Sequence, residues 1–264
     1  MSASQLSATD LAPGDGGAAP SWRIVLALTV HELRLAARRG ESLLATFIVP
    51  AAILLFFGGL GVLPTGTATA VDFVLPGTMA LAVIAASLVA LGIATGYERA
   101  YGVLKRLGGS PASRGMVVTA KTLATLIIEV VQAVLLIVLA SVVLGWRPGD
   151  GSQIAVVVAA LVLGTAAFAG LGLLLAGTLR AEATLALTNG LFLASLLVGG
   201  IVVPVSRLPE PLSALARALP GAALADALRI GLGAIAGDPT PPLLLLAGWA
   251  VLLVTAAAWR FRWD

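Results

Sequence analysis

The sequence predicts an all-α membrane protein with six transmembrane helices, an N-terminal interfacial helix, a short cytoplasmic helix and an outer re-entrant helical hairpin. Three observations support this fold class: a mean hydropathy of +1.04, six long apolar segments, and basic residues that concentrate on one side of the predicted membrane. A bilayer core of about 30 Å requires roughly 20 apolar residues in a helix, which satisfies its backbone hydrogen bonds internally. The predicted spans are residues 43–63, 76–95, 116–145, 154–177, 184–204 and 243–259.

Composition narrows the class of protein. Of the 264 residues, 59% are hydrophobic, which leaves little material for a separate soluble domain. We expect one membrane domain over residues 22–264. It follows a disordered cytoplasmic tail at 1–21, which is rich in Ser, Gly, Pro and Ala and lacks a signal-peptide pattern. The chain has no cysteine, so it has no disulfide and no thiolate metal site. The preference for Arg over Lys suggests a GC-rich bacterial genome, and hence the bacterial plasma membrane.

The distribution of basic residues predicts the orientation in the membrane. With six spans, both termini lie on the same side. If that side is the cytoplasm, it holds 12 of the 16 Lys and Arg residues, and the outside holds Arg147, Arg207, Arg217 and Arg229. The positive-inside rule therefore favours cytoplasmic termini. The same rule accounts for the net charge of +3, so we expect no nucleic-acid partner.

Residues 22–42 predict an amphipathic interfacial helix before the first span. Its apolar flank contains Trp22, Val25, Leu26, Leu33 and Ala37, and its polar flank contains Glu32, Arg34, Arg38 and Arg39. Such a helix lies along the membrane surface, as a simple topogenic anchor or as a protein-docking surface. The single histidine, His31, lacks the second histidine of a zinc-protease helix, so we expect no metal site here.

The second span and the segment after it carry two packing signals. Gly92 and Gly96 have a spacing that lets helices approach closely. In residues 97–111 an apolar stripe at helical spacing ends at Gly108-Gly109; its members are Tyr97, Tyr101, Leu104 and Leu107. A short helix with one apolar stripe is suited to lying in another protein's cleft. The alternative is a solvated basic loop.

Polar residues inside two spans are candidates for a substrate pathway or gate. Glu129 and Gln132 lie near one face of the third span, and Asn189, Phe192 and Ser195 lie near one face of the fifth. A carboxylate is costly in hydrocarbon, so Glu129 should face the bundle interior. Either group could contact a substrate, or could join helices by hydrogen bonds. The sequence leaves both interpretations open.

The outer segment, residues 205–242, differs from the other loops. Pro209 opens one helical stretch that runs to Leu219, Pro220-Gly221 interrupts it, and a second stretch runs to about Ala236. Neither stretch is long or apolar enough to span alone, so we expect a re-entrant hairpin buried in protein.

The sequence lacks the motifs of the common membrane and nucleotide enzymes. It has no Gly-x-x-x-x-Gly-Lys-[Ser/Thr] phosphate loop, no intramembrane Ser–His pair and no paired intramembrane aspartates. We therefore predict no catalytic residue and no metal ligand on this chain.

Two motifs resemble those of the ABC type-2 exporter permeases, the drug, lipid and polysaccharide efflux subunits related to the ABCG architecture. The first is Tyr97-Glu-Arg-Ala-Tyr-Gly-Val-Leu-Lys-Arg-Leu-Gly-Gly-Ser-Pro-Ala-Ser-Arg114. It resembles the family's cytoplasmic coupling segment, in which a Glu precedes Gly-x-Leu-Lys/Arg-Arg-Leu and Ser/Thr-Pro-x-Ser-Arg. The second runs through Asn189-Gly-Leu-Phe192, Gly199-Gly-Ile-Val-Val-Pro204, Leu208-Pro209, Ala218-Leu-Pro220 and Asp226-Ala-Leu-Arg229. It resembles the family's fifth span and outer hairpin.

The resemblance implies a permease subunit of an ATP-driven exporter for an amphipathic drug-like or lipid-like substrate. It implies a cytoplasmic coupling helix in contact with a separate ABC ATPase, through Glu98, Tyr101, Gly102, Lys105, Arg106 and Leu107. ATP and Mg²⁺ would bind that ATPase, with no cofactor on this chain. Two permease subunits, identical or different, would associate with two ATPases in membrane lipid. The alternatives are an ion-coupled secondary transporter with Glu129 as proton carrier, and a membrane scaffold.

Overall fold

The computed structural model describes residues 20–38, 40–60, 69–201 and 205–260. Within these ranges the regular elements are helices. The α-helices are α1 (Ser21–Arg38), α2 (Gly40–Leu60), α3 (Ala70–Ile84), α4 (Leu91–Ala100), α5 (Val103–Gly108), α6 (Arg114–Val143), α7 (Ile154–Thr178), α8 (Ala181–Val198), α9 (Glu210–Ala218), α10 (Pro220–Gly231) and α11 (Thr240–Arg260). A π-helical turn at Ala85–Ala90 joins α3 to α4, so these two helices form one continuous segment.

Among the described residues, five helical segments are long and apolar enough to cross a membrane. They are Ala70–Ala100, Arg114–Val143, Ile154–Thr178, Ala181–Val198 and Thr240–Arg260. Helices are thus confirmed at five of the six predicted spans. The remaining predicted span, 43–63, corresponds to α2, of which Thr46–Leu60 forms a shorter apolar helix. Residues 61–63 lie outside the described residues, as do residues 1–19 of the predicted tail and Arg39.

The α3–α4 segment and α7 form the centre of the bundle. α7 packs against α4, α6, α10, α11 and the π-helical turn. A Cβ added to Gly92 in α4 would lie 3.2 Å from Gly172 Cα in α7, and one added to Gly96 would lie 3.5 Å from Thr184. The predicted close packing of helices at Gly92 and Gly96 is therefore confirmed.

Two boundaries differ from the prediction because of local backbone geometry. α8 ends at Val198, six residues before the predicted end of the span, and Gly200 then adopts a left-handed φ of 68°. Residues 202–204 lie outside the described residues. Pro220 was predicted to interrupt a helix, but it begins α10. At the start of a helix the missing N–H of proline removes no intrahelical hydrogen bond. α10 is almost entirely buried against α3, α7 and α11, and it ends at Gly231 rather than near Ala236.

Residues 97–111 do not form one helix with one apolar stripe, and that prediction is wrong. α4 ends at Ala100, and Gly102 has a left-handed φ of 72°, a conformation that favours glycine. The chain therefore turns before α5 begins. As a result Leu104 is fully buried, whereas Tyr101 is 73% exposed. We call residues 97–111 the coupling segment.

Polar contacts fix the two ends of the bundle. At one end Lys121 of α6 meets Glu98 near the end of α4, with Nζ and Oε2 2.7 Å apart. At the other end the Trp146 indole donates a hydrogen bond to Asp72 at the start of α3, at 2.8 Å. We call the end with Lys121 and the coupling segment the inner end. The last turns of α11 also lie there, since Ala257 packs with Leu104.

Candidate functional site

Three cavities follow one side of the α3–α4 segment. The inner cavity, at the inner end of the bundle, has a volume of about 140 Å³. The middle cavity has about 220 Å³ and the outer cavity about 270 Å³. Thr46 and Ala86 line both the inner and the middle cavity, and Ile53 and Leu81 line both the middle and the outer cavity. Because neighbouring cavities share wall residues, they form a consecutive series along the bundle.

The cavity walls are mostly apolar. Phe192 of α8 and Gln132 of α6 border the middle cavity, together with side chains of α2 and the π-helical turn. The outer cavity is lined by Phe57, Phe73 and aliphatic side chains, with Thr78 as its polar residue. Charged residues line the inner cavity and neither of the other two. The series therefore has one charged end and an apolar remainder.

The charged end is a cluster of Glu32, Lys121 and Glu98, which we call the Lys121 cluster. Lys121 Nζ lies 2.7 Å from Glu32 Oε1 and 2.7 Å from Glu98 Oε2. The lysine side chain is 2% exposed, and those of Glu32 and Glu98 are 24% and 16% exposed. Since a buried lysine requires an ionic partner, the cluster joins α1, α4 and α6 at the inner end.

The coupling segment is anchored on one side and open on the other. Leu104 packs into a small core with Val118 of α6, Leu173 of α7 and Ala257 of α11. Arg99 donates a hydrogen bond to the Leu179 carbonyl at the end of α7, at 2.7 Å, a favourable position for a cation at a helix C-terminus. The segment is thus tied to the inner ends of α6, α7 and α11.

The residues predicted to contact a partner through this segment fall into two groups. Tyr101, Lys105 and Arg106 are exposed, and Gly102 and Leu107 are half-buried. Glu98 instead directs its carboxylate into the protein, towards Lys121. Contact with a partner stays a prediction for all six residues.

Glu129 faces the interior of the bundle, as the cost of a carboxylate in hydrocarbon predicted. Its Oε1 accepts a hydrogen bond from Ser87 in the π-helical turn, at 2.5 Å, and its Oε2 contacts the Thr165 hydroxyl of α7. The packing beside it leaves no space for a water molecule. Glu129 lines none of the three cavities.

The other pathway candidates divide between the cavities and the surface. Gln132 and Phe192 border the middle cavity. Gln132 Nε2 donates to the Thr46 carbonyl at 2.5 Å, while its Oε1 is buried without a hydrogen-bond partner among the described residues. Asn189 is exposed and donates to the Leu185 carbonyl of its own helix. Asn189 and the half-buried Ser195 line none of the three cavities.

At the outer end Arg229 holds three elements together. Its guanidinium lies 3.2 Å from Asp226, donates to the Gly200 carbonyl at 2.5 Å, and stacks over the Phe73 ring at 4.5 Å. Burial raises the pKa of the Asp226 carboxyl above its ordinary value, and Arg229 opposes that rise. Of the predicted prolines, Pro209 precedes α9 and Pro220 begins α10.

α1 has two different long faces. Its inward face packs along α6, where the Thr29 hydroxyl approaches the Ala120 carbonyl at 3.4 Å. Glu32 also points inward, to Lys121. Arg34 and Arg38 are exposed on the outward face. The described part of the predicted polar flank is therefore split, with Glu32 on the inward face and Arg34 and Arg38 on the outward face.

A comparison with protein families identifies the chain. The model of the ABC-2 type transporter family matches residues 23–232, which include α1 to α10. The chain belongs to the ABC-2 transporter family. This ABC-2 protein is accordingly a transmembrane permease with a multi-pass membrane location, and its family implies an ABC ATPase partner. Among curated proteins no match is found. The resemblance drawn from the coupling segment and the outer segment is thus confirmed.

Lys121 of this permease was not among the functional residues predicted from the sequence. The sequence shows a lysine seven residues into the helix that begins at Arg114, which is typical of a cytoplasmic extension of a span. Its two carboxylate partners are 89 and 23 positions away in the chain, on other helices. The available signal was the presence of Glu98 at the end of the preceding span, since a buried lysine needs such a partner.

Proposed function

We propose that this permease is the membrane subunit of an ATP-driven exporter, which moves an amphipathic drug-like or lipid-like molecule along the α3–α4 segment. The observation that carries the proposal is the series of three cavities from the Lys121 cluster to Phe73, with shared walls at each step. Its polar groups lie at the inner end, at Gln132 and at Thr78. A molecule with a long apolar body and one polar end matches this distribution.

In this proposal the permease has six spans and both termini in the cytoplasm. α2 has 21 residues and hence a length of about 31 Å, enough for a bilayer core. Near its end, a Cβ added to Gly58 would lie 3.0 Å from Leu144, just after α6. Residues 22–264 then form one transmembrane domain. In it α9 and α10 form an outer re-entrant hairpin, and the burial of α10 supplies the protein partners that such a hairpin needs.

In this proposal a separate ABC ATPase binds ATP and Mg²⁺ and drives the permease through the coupling segment. Tyr101, Lys105 and Arg106 are available to that partner on the exposed side. Leu104 and Arg99 connect the same segment to the ends of α6, α7 and α11. A movement imposed by the ATPase therefore reaches helices beside the cavities. Two permease subunits and two ATPases complete the exporter in the bacterial plasma membrane.

The proposal is tested by reversing the exposed charges of the coupling segment. The double variant Lys105→Glu/Arg106→Glu, purified with the ABC ATPase, should lose partner association and ATP-driven flux in proteoliposomes. The two cargoes are a short-chain NBD-labelled phosphatidylcholine and rhodamine 6G. The single charge reversal Arg147→Glu, at an exposed position of the opposite end, should leave both readouts unchanged. Undiminished association and flux in the double variant would refute the proposal.

The second candidate, an ion-coupled transporter with Glu129 as proton carrier, predicts a different energy source. A proton carrier needs access to water, whereas Glu129 is buried and lines none of the cavities. Flux that stops with a hydrolysis-deficient ATPase and continues with a protonophore supports the exporter. The reverse result supports the ion-coupled transporter.

A further inference from the structure

The Lys121 cluster carries an uncompensated negative charge. Two carboxylates, Glu32 and Glu98, share one ammonium group, which leaves one negative charge in excess. Each carboxylate gives one oxygen to Lys121 at 2.7 Å. Both glutamates line the inner cavity, and their side chains are partly exposed, Glu32 at 24% and Glu98 at 16%. The two carboxylates are thus accessible to another cation from that cavity.

The inner cavity around this charge is narrow, and apolar side chains form most of its wall. The inner cavity is bounded by Leu35, Leu91, Ala94 and Ile128, beside the three charged residues and two threonines. Its volume of about 140 Å³ accommodates one compact group rather than a long molecule. Through Thr46 and Ala86 it adjoins the apolar middle cavity. A ligand with a positive group among the carboxylates can therefore extend its apolar body into the middle cavity.

Among the described residues, Lys121 is the only cation that lines the inner cavity. Arg34 and Arg38 lie on the exposed face of α1, away from Lys121. Arg99, next to Glu98 in the chain, donates to the Leu179 carbonyl at the end of α7 and does not line the inner cavity. The whole chain carries a net charge of +3, so its overall field would favour an anion. A preference for cations would accordingly be a local property of this cavity.

We propose that the inner cavity is the entry site for amphipathic cations, with Glu32 and Glu98 as the residues that select positive charge. This inference rests on the proposed exporter function and specifies its substrate class: molecules with an apolar body and one positive charge. Lys121 holds the two carboxylates in place and neutralises one of their two negative charges. Since one carboxylate interacts with a cation over several ångströms at the edge of a low-dielectric region, loss of one acid weakens binding by roughly tenfold.

The test compares two amphiphiles with the same apolar chain and compact head groups of opposite charge. Decyltrimethylammonium and decyl sulfate are bound to the nucleotide-free full-length chain in phosphatidylcholine nanodiscs by equilibrium dialysis, with empty nanodiscs as background. We expect saturable binding of the cation, and binding of the sulfate at least about tenfold weaker. Equal binding of the two ions would overturn the inference. This comparison requires no variant.

The matched variants are Glu32→Gln and Glu98→Gln, with Glu182→Gln as control. Glu182 is an exposed carboxylate in the first turn of α8. We expect each cluster variant to bind decyltrimethylammonium roughly tenfold more weakly, and the control to match the unchanged chain. Unaltered binding in both cluster variants would overturn the inference, and Glu32→Asp should restore binding if charge is what matters.

The failure of this inference differs from the failure of the exporter proposal. If cation selection is absent but ATP still drives flux of the zwitterionic NBD-labelled lipid, only the inference fails. If the cation binds as expected but ATP drives flux of neither cargo, the exporter proposal fails and the site stands as a binding site alone.

Discussion

Glu129 is held by hydroxyl groups from two neighbouring helices. Ser87 donates to one carboxyl oxygen, and the Thr165 hydroxyl lies against the other while also reaching the Leu161 carbonyl at 2.7 Å. A hydroxyl has one hydrogen and cannot donate to both. If the Thr165 hydroxyl donates to the Leu161 carbonyl, the Glu129 carboxyl must donate to Thr165. Glu129 is then neutral, and a neutral carboxyl group costs less free energy in hydrocarbon than a carboxylate. The geometry therefore favours a neutral junction between helices over a substrate contact.

This assignment predicts opposite outcomes for two substitutions at Glu129. Glu129→Gln keeps a neutral side chain of the same shape, so the free energy of unfolding should change by less than about 1 kcal/mol and ATP-driven flux should persist. Glu129→Leu leaves the Ser87 hydroxyl without this partner in a closed site, and should lower the free energy of unfolding by about 1–3 kcal/mol. Denaturant titration in detergent measures both changes. A stable Glu129→Gln protein without flux would assign the carboxylate a functional role.

The sequence predicted that Glu129 faces inward but could not identify its partners. Ser87 and Thr165 are 42 and 36 positions away, and a serine or threonine in an apolar helix is too common to single out. The same limit applies to Lys121 and Glu32, whose contact depends on how α1 lies along α6. Residue type predicts whether a side chain is buried, whereas the contacts between residues distant in the chain are known only from the packed structure.

At the scale of elements, the π-helical turn and α7 depend on each other. Gly172 of α7 faces the turn so closely that an added Cβ would lie 2.8 Å from the Ser87 carbonyl oxygen and 2.9 Å from that of Leu88. Backbone atoms cannot move aside as a flexible side chain can. The turn also positions Ser87 towards Glu129, so the contact of α7 with the turn supports the buried carboxyl junction.

Gly172→Ala should therefore destabilise the fold, and Gly190→Ala should not. The clash at Gly172 forces α7 away from the α3–α4 segment, at a cost of about 1–3 kcal/mol in the free energy of unfolding. Gly190 of α8 has open space where its Cβ would be, so alanine there should change stability by at most about 1 kcal/mol, in the stabilising direction. Denaturant titration of the two variants in one detergent compares them directly. Equal stability would contradict the packing of α7 on the turn.

The lengths and order of the elements were largely predictable, and the irregular positions were not. Apolar length alone locates α6, α7 and α11 to within three residues of their observed bounds. The break at Gly102 was not predicted, because the apolar residues keep a helical spacing across this glycine. Its left-handed backbone conformation is visible only in the folded chain. A pattern of side chains reports which face is apolar, but it does not report where the backbone turns.

At the scale of the whole molecule, both ends of the described chain meet at the inner end of the bundle. α1 is held there by the contact of Glu32 with Lys121, and α11 by the packing of Ala257 with Leu104. α6 runs from this end to the outer end, where Trp146 meets Asp72. Most exposed arginines and lysines also lie at the inner end, including Arg34, Arg38, Lys105 and Arg106.

This arrangement predicts that a reporter after Asp264 and a reporter between α6 and α7 lie on opposite sides of the membrane. Green fluorescent protein, which matures in the cytoplasm, should be fluorescent when fused after Asp264, because the positive-inside rule assigns the inner end to the cytoplasm. Alkaline phosphatase, which needs an oxidising compartment, should be active when fused after Gly151, in the turn before α7. Exchanging the two reporters should abolish both signals. If one reporter is active at both positions, the chain between Gly151 and Asp264 crosses the membrane an even number of times, and the six-span arrangement, which has three spans there, is wrong. If both signals are inverted, the spans stand and the orientation is reversed, so the Lys121 cluster would face the outside and could not admit cargo from the cytoplasm.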